Sequence, residues 1–197
     1  MKRLTEAGLD VVDEDVRLML AFRGGDVQAF EALFERWSAR LLRYLERMVR
    51  DSAVAEELVQ EAFLRVYRAR DRYAPEARFS TWLYRIATRL ALNELRRPVR
   101  RDPHRSTDDE GAPPLRAAGP EVDERVDARR RGEAVLEELS LLPDRQRAAL
   151  WLTAVDGLSY SEVAAALDVS ESAVKSLVHR ARSALVARLK PVGGAPA

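Results

Sequence analysis

The chain of 197 residues contains no cysteine, which removes disulfides, thiolate nucleophiles and thiolate metal sites together. It holds two histidines, His104 and His179, which leaves almost nothing for an imidazole metal site or a Ser-His-Asp triad. No metal, cofactor or enzymatic activity is expected. No apolar run approaches the roughly 18 residues of a membrane span, and the opening MKRLTEAGLDVVDEDVR lacks the apolar core of a signal peptide. A cytoplasmic protein without membrane insertion is the expectation. Excess charge is missing too: 33 basic residues face 32 acidic ones, so any nucleic-acid site must arise from local segregation of charge. Alternating β-branched runs are scarce, while Ala, Leu, Arg and Glu dominate. The expected fold class is all-α, and a hydrophobic content of 47% suffices for real cores.

The segment from Pro98 to Glu124 gathers prolines, glycines and an acidic triplet without apolar periodicity, and reads as a flexible acidic linker. It carries 4 basic and 7 acidic residues, against 18 and 16 in residues 1–97 and 11 and 9 in residues 125–197. Two small, mildly basic helical domains, 1–97 and 125–197, therefore flank residues 98–124. In the first domain Gly24-Gly25 ends a short helix, and Asp26 caps a long one reaching about Val49. Asp51 or Ser52 caps the next, up to about Tyr73, and Ser80 caps a last helix that Pro98 ends. About four helices around one core are expected.

The second domain opens with a helix containing VLEELSLL, and Pro143 suits the first position of the next, with Gly157 at its end. In LSYSEVAAALDVSESAVKSLVHRARSALVARL, Ser159 and Glu162 have capping-box spacing, Asp168-Val169-Ser170 forms a turn, and Ser170 caps a second helix. This is a helix-turn-helix pattern. Val174, Val178, Ala181, Leu185 and Leu189 form the expected buried stripe. Ser172, Lys175, Ser176, His179 and Arg180 fall on the opposite face, with Arg182 nearer its flank. Cations there can neutralise phosphates, and the small polar groups near the helix start can reach base edges in a major groove. The competing interpretation is a solvated basic helix.

In the first domain Tyr73, Phe79, Trp82 and Tyr84 are interleaved with Arg72, Arg78, Arg85, Arg89, Arg96 and Arg97. Aromatics among arginines suit unstacked bases of a single strand; for Trp82, core packing is the equal alternative. The stretch DSAVAEELVQEAFLRVYRA has an acidic first half, with Glu57 and Glu61 four apart on one helix face. A di-iron site would need Glu-x-x-His, and no histidine occurs in this domain. A solvated acidic face and a docking face for a basic partner both remain open.

Five motifs in order, DVQAFEALFERW, AEELVQEAFLRVYRA, FSTWLYRIA, LPDRQRAALWL and GLSYSEVAAALDVSESAVKSLVHRARSAL, resemble the extracytoplasmic-function group of bacterial sigma-70-type transcription initiation factors. The resemblance implies a factor that binds core RNA polymerase and directs promoter-specific DNA binding and opening. Residues 1–97 would be sigma region 2, whose acidic helix, through Glu56, Glu57, Gln60, Glu61, Phe63 and Leu64, docks on the β′ clamp helices. Minus-ten recognition and melting would fall to Tyr73, Arg78, Phe79, Ser80, Trp82, Arg85, Arg89, Asn93, Arg96 and Arg97. Residues 125–197 would be region 4, docking on the β flap and reading the minus-thirty-five element with Ser172, Lys175, Ser176, His179, Arg180 and Arg182. An anti-sigma partner is implied as well. Arg89 stands where the family commonly has Asn, Asn93 where it has Asp, Ser172-Ala173 where Gly-Thr is frequent, and Leu177 where Arg is frequent. The alternative is a stand-alone helix-turn-helix regulator that binds an operator without acting as a sigma factor. A hydrolase using the acidic pairs has no pocket signature or phosphate-binding glycine loop behind it.

Overall fold

The structure, a computed structural model, describes residues 13–97 and 135–189 together with Gly132. Its regular elements are α1 (Glu14–Arg23), α2 (Val27–Val49), α3 (Ser52–Arg68), a 3-10 turn (Arg70–Arg72) and α4 (Phe79–Arg96). They continue with α5 (helical over 135–140), α6 (Asp144–Ala154), α7 (Tyr160–Leu167) and α8 (Glu171–Leu189). All regular structure among the described residues is helical. The expected linker, 98–124, lies outside them.

Caps account for most boundaries. Asp26 accepts hydrogen bonds from the Gln28 and Ala29 amides at 3.0 and 3.3 Å and opens α2. Just before it, the chain turns through Gly25 at φ 104°, a conformation that glycine tolerates without strain. Asp51 accepts from the Val54 amide at 3.0 Å and opens α3.

Four expected boundaries differ. Helix α3 stops at Arg68 rather than near Tyr73, because the chain tightens into the 3-10 turn and then extends at Tyr73. The Arg23 guanidinium donates to the Tyr73 carbonyl at 2.9 Å and holds that departure. Ser80 does not cap α4; Arg78 occupies the cap position without a side-chain bond, and Phe79, fully buried, is the first helical residue. Pro143 takes the cap position of α6 rather than its first turn, and α6 ends at Ala154 instead of near Gly157. There the amides of Asp156 and Leu158 fold back onto the carbonyls of Trp151 and Leu152, a reversal that Gly157 permits at φ 70°.

Helix α2 is the spine of the N-terminal half. Leu33, Trp37, Leu41, Tyr44, Leu45 and Met48 recur at three- and four-residue steps and are buried against α1, α3 and α4. Each such side chain contributes roughly 1.5–3 kcal/mol on burial. Two polar bonds fix the packing inside: the Trp37 indole donates to Asp15 Oδ2 at 3.1 Å, and the Tyr44 and Thr88 hydroxyls pair at 2.7 Å. Burial pushes the Asp15 carboxyl above its ordinary range, opposed by Arg36 and by the indole bond.

The C-terminal half closes around Leu142, Leu152, Val163, Leu167, Val174, Val178 and Ala181. The α8 stripe follows the expected pattern through Ala181, and Leu185 is half-buried. Leu189 breaks it with 42% exposure. The last turn of α8 instead directs Arg188 toward Glu138 of α5, 3.8 Å away, and leaves Leu189 on the solvent side.

The two halves touch. Helix α7 lies along α4, and α6 reaches α2. Arg147 of α6 is buried at this junction and donates to the Met48 carbonyl of α2 at 2.9 Å.

Candidate nucleic-acid interface

Helix α8 is presented by a well-made helix-turn-helix. Ser159 accepts from the Glu162 amide at 3.3 Å while the Glu162 carboxylate accepts from the Ser159 amide at 2.8 Å, so the capping box opens α7 in both directions. The turn passes through Asp168 in the left-handed conformation at φ 56°. Ser170 then accepts from the Ala173 amide at 3.2 Å and starts α8. With Val174, Val178 and Ala181 buried, the face bearing Ser172, Lys175, Ser176, His179, Arg180 and Arg182 is exposed. Part of it is occupied with itself: the Ser176 hydroxyl donates to the Ser172 carbonyl at 3.0 Å, and Arg180 donates to the Ser176 carbonyl at 3.2 Å. Both bonds are local and solvent-exposed, and they exchange cheaply for bonds to DNA. Leu177, beside the stripe, is half-buried.

Helix α4 carries the second face. Arg85, Arg89, Asn93 and Arg96 follow four-, four- and three-residue steps and form one exposed ridge. Arg97 is exposed and pairs with Glu94 at 2.8 Å. The aromatics at the head of α4 divide into two groups. Tyr73 and Phe79 are buried at 5% and 0% exposure, so neither offers a ring face to a base in this arrangement. Burial pushes the Tyr73 hydroxyl up to about 12. Trp82 is half-buried, its ring 5.0 Å from Tyr73 and 5.9 Å from Phe79, and it keeps one side toward solvent. The alternatives of core and stacking surface for Trp82 thus resolve into a ring that is partly both. Arg78 is exposed and Ser80 half-exposed beside it.

Helix α3 exposes Glu56, Glu57, Gln60 and Leu64, while Glu61 is half-buried in an ion pair with Arg65 at 2.8 Å. Phe63 points inward at 3% exposure and packs edge-on against Phe34, centroids 4.8 Å apart. The residues missed by sequence reasoning are Val27, Phe34 and Tyr67, exposed at 57%, 41% and 42%. They add an apolar margin beside the acidic turns, the kind of surface that marks a protein contact. Phe30 and Phe34, four apart and off the Leu33-Trp37-Leu41 stripe, were the available signal. Among the described residues no group of three or more His, Asp and Glu is arranged to hold a metal ion, and no helix is long and apolar enough to cross a membrane.

Residues 33–101 match the family description Sigma-70 region 2, and residues 132–185 match Sigma-70, region 4. The chain is 38% identical over 162 residues to RNA polymerase sigma factor CarQ of Myxococcus xanthus, covering 82% of this chain and 90% of that one. It is 33% identical over 173 residues to the ECF RNA polymerase sigma-E factor of Escherichia coli K12, covering 85% and 90% of the two chains. Among solved structures, that of CnrH in complex with the cytosolic domain of CnrY is similar with a TM-score of 0.68 at 25% identity, over 92% of this chain and 100% of that one. With both sigma-70 regions in the expected order and relatives matched over most of their length, the chain belongs to the extracytoplasmic-function group of the sigma-70 family of RNA polymerase sigma factors.

Proposed function

We propose that the two arginine-bearing faces read the two elements of one promoter. Helix α8 enters the major groove of the minus-thirty-five element: Arg180 and Arg182 neutralise phosphates, and Ser172, Lys175, Ser176 and His179 face base edges. Helix α4 follows the minus-ten strand with Arg85, Arg89, Asn93 and Arg96, and Trp82 supplies the stacking surface for an unpaired base. Arg78, Ser80 and Arg97 lie at the ends of that track, and Tyr73 and Phe79 support Trp82 from beneath. The acidic turns of α3 with Leu64 and the margin of Phe34 and Tyr67 dock on the β′ clamp helices of core polymerase, and the α5–α8 half docks on the β flap. Domain boundaries at 97 and 125, with an acidic tether between them, fit this division. The chain performs no covalent chemistry; binding energy drives promoter opening in the cytoplasm. CnrH is in complex with the cytosolic domain of CnrY in its solved structure, and that likeness supports a protein partner of this chain, which we take to be an anti-sigma factor.

The observation carrying this reading is the pairing, in one chain, of an exposed basic and serine-rich recognition face with a separate arginine ridge ending at a half-exposed tryptophan. The test is transcription by purified bacterial core polymerase on pooled genomic fragments, with and without the chain, mapping dependent 5′ ends. Discrete starts that share two upstream elements are expected. Failure to bind core, together with tight specific DNA binding by the chain alone, would instead identify a stand-alone regulator.

A further inference from the structure

Three clefts run along the junction of the two halves, and their charges differ. In the first, Asp13, Glu14, Asp15, Asp156 and Glu162 outnumber three arginines. In the second, Arg47, Arg50 and Arg147 meet Glu46, Asp51 and Glu137. The third lies between α4, the first turn of α6 and the end of α7. There Arg85, Arg89, Arg96 and Arg145 share the wall with Asp168, its one carboxylate among the described residues. Four guanidiniums against one carboxylate leave three positive charges. The pair that does form, Arg85 with Asp168 at 3.9 Å, is exposed on both sides and correspondingly weak.

Helical spacing brings Arg85, Arg89 and Arg96 to one face of α4. Arg145 comes from the other half of the molecule. It is exposed in the first turn of α6, whose cap residue, Pro143, makes no side-chain bond. A cation at the positive end of a helix gains nothing from its own helix dipole, whereas an anion is favoured at such an end. Guanidinium forks match phosphate oxygens in pairs. Leu92, Ala166 and Leu167 supply an apolar floor, half-buried or buried, which reduces the screening of an ion seated on it. The cleft volume of about 180 Å³ is below the roughly 300 Å³ at which sites begin to enclose drug-sized molecules. A compact ion of several negative charges suits both its size and its surplus charge.

We infer that this cleft binds a compact oligophosphate, with Arg145 supplying from the C-terminal half the cation that completes the site. The oligophosphate is either a free inorganic anion or the phosphate tail of a nucleotide whose base stays outside. The site stands on the cleft itself and not on the reading of α4 proposed above. What rests on that reading is a consequence: the anion and the minus-ten strand exclude each other at Arg85, Arg89 and Arg96.

The test is calorimetric titration of the full chain with inorganic pyrophosphate, with ATP and with a short unpaired DNA strand, in magnesium-free buffer at constant ionic strength. Saturable one-to-one binding of pyrophosphate is expected. Arg145→Ala should weaken it about tenfold or more, the loss of a charge-assisted contact, and Arg145→Lys should restore part of the affinity. Asp168→Asn should tighten binding by removing the opposing charge. Arg68→Ala deletes an exposed cation of α3 outside the cleft and should leave the affinity as it was. An unchanged urea midpoint for ligand-free Arg145→Ala shows that the fold is intact. ATP binding as tightly as pyrophosphate assigns the site to a nucleotide tail, and pyrophosphate binding alone assigns it to the inorganic anion. Absence of saturable binding by either, or equal losses in Arg145→Ala and Arg68→Ala, overturns the site. Binding of the DNA strand alone overturns it as well and gives the cleft to the promoter. Arg145-dependent binding of pyrophosphate that fails to displace a bound strand leaves the site standing and overturns the exclusion.

Discussion

The faces on α8 and α4 are built from similar residues and differ in what surrounds them. Both are helical ridges of arginine with small polar groups between. The α8 face is capped by Ser170, backed by Val174, Val178 and Ala181, and open to solvent. The α4 face has no side-chain cap at its head, and α7 lies along it. A duplex groove can be met by a rigid, finished surface. A single strand exists only after base pairs have been broken, and a face that reads it has no duplex target beforehand. Helix α7 flanks the second face without covering it, since Arg85, Arg89, Asn93 and Arg96 stay exposed.

The comparison is broken most strongly at Arg147. Replacing it by Gln leaves the Met48 and Ser140 carbonyls short of a donor in a buried site, at about 1–3 kcal/mol for each group left unsatisfied. Urea unfolding is expected to show the loss, with the α8 face unchanged. Next comes Trp82→Ala. If Trp82 stacks a base, its removal costs roughly 1–3 kcal/mol in the opened complex. Permanganate reactivity of melted thymines should fall while binding to the closed promoter persists.

On the other face, Arg180→Ala and Arg182→Ala should each lower the salt slope of promoter binding by about 1, evenly across sequences. Lys175→Ala or Ser176→Ala should change sequence preference instead. A binding series in potassium chloride separates the two behaviours.

The smallest effect sharpens the junction. Asp156 sits there beside Tyr84, and burial raises its pKa while Tyr84, Arg40, Trp151 and Arg43 hold it down; Asp15 and Glu162 line the same cleft. Its carboxyl is an ordinary one once the halves part, so closing favours the protonated form. That penalty is absent below the ordinary carboxylate range, grows as pH rises toward the raised value, and stays in full at neutral pH. Asp156→Asn should therefore strengthen the packing of the two halves at neutral pH and flatten the pH dependence of urea unfolding. Asp168→Asn keeps the left-handed turn and removes only an exposed pair with Arg85, too weak to open the junction alone.

Local signals carried much of this architecture. Asp26, Asp51, Ser159 with Glu162, and Ser170 announce their helices because a cap is a bond within three residues, and the apolar steps of α2 and α8 announce their cores. What sequence could not locate were groups whose partners lie far along the chain. Tyr73 and Phe79 have the composition of a stacking site, and only tertiary packing, Phe79 against Trp37 of α2 and Tyr73 beside Trp82, turns them inward. Leu189 continues the spacing of its helix yet outruns the neighbours that would bury it. Arg147 looks like one more surface arginine in LPDRQRAALWL, since its acceptor is 99 residues away. A trace of the junction was present in α7: Val163, Ala164, Ala166 and Leu167 are all buried in an eight-residue helix, more apolar surface than one neighbouring helix would cover.

The three tryptophans happen to sample three different situations. Trp37 is sealed in the α2 core and bonded to Asp15, Trp151 is buried in α6 near the junction, and Trp82 lies half-open at the head of α4. Indole emission moves to longer wavelength as the ring meets water and dims when a base stacks on it. The unmodified chain therefore carries its own optical readout, in which the α2 core, the junction side of α6 and the head of α4 can be assigned by replacing one tryptophan at a time.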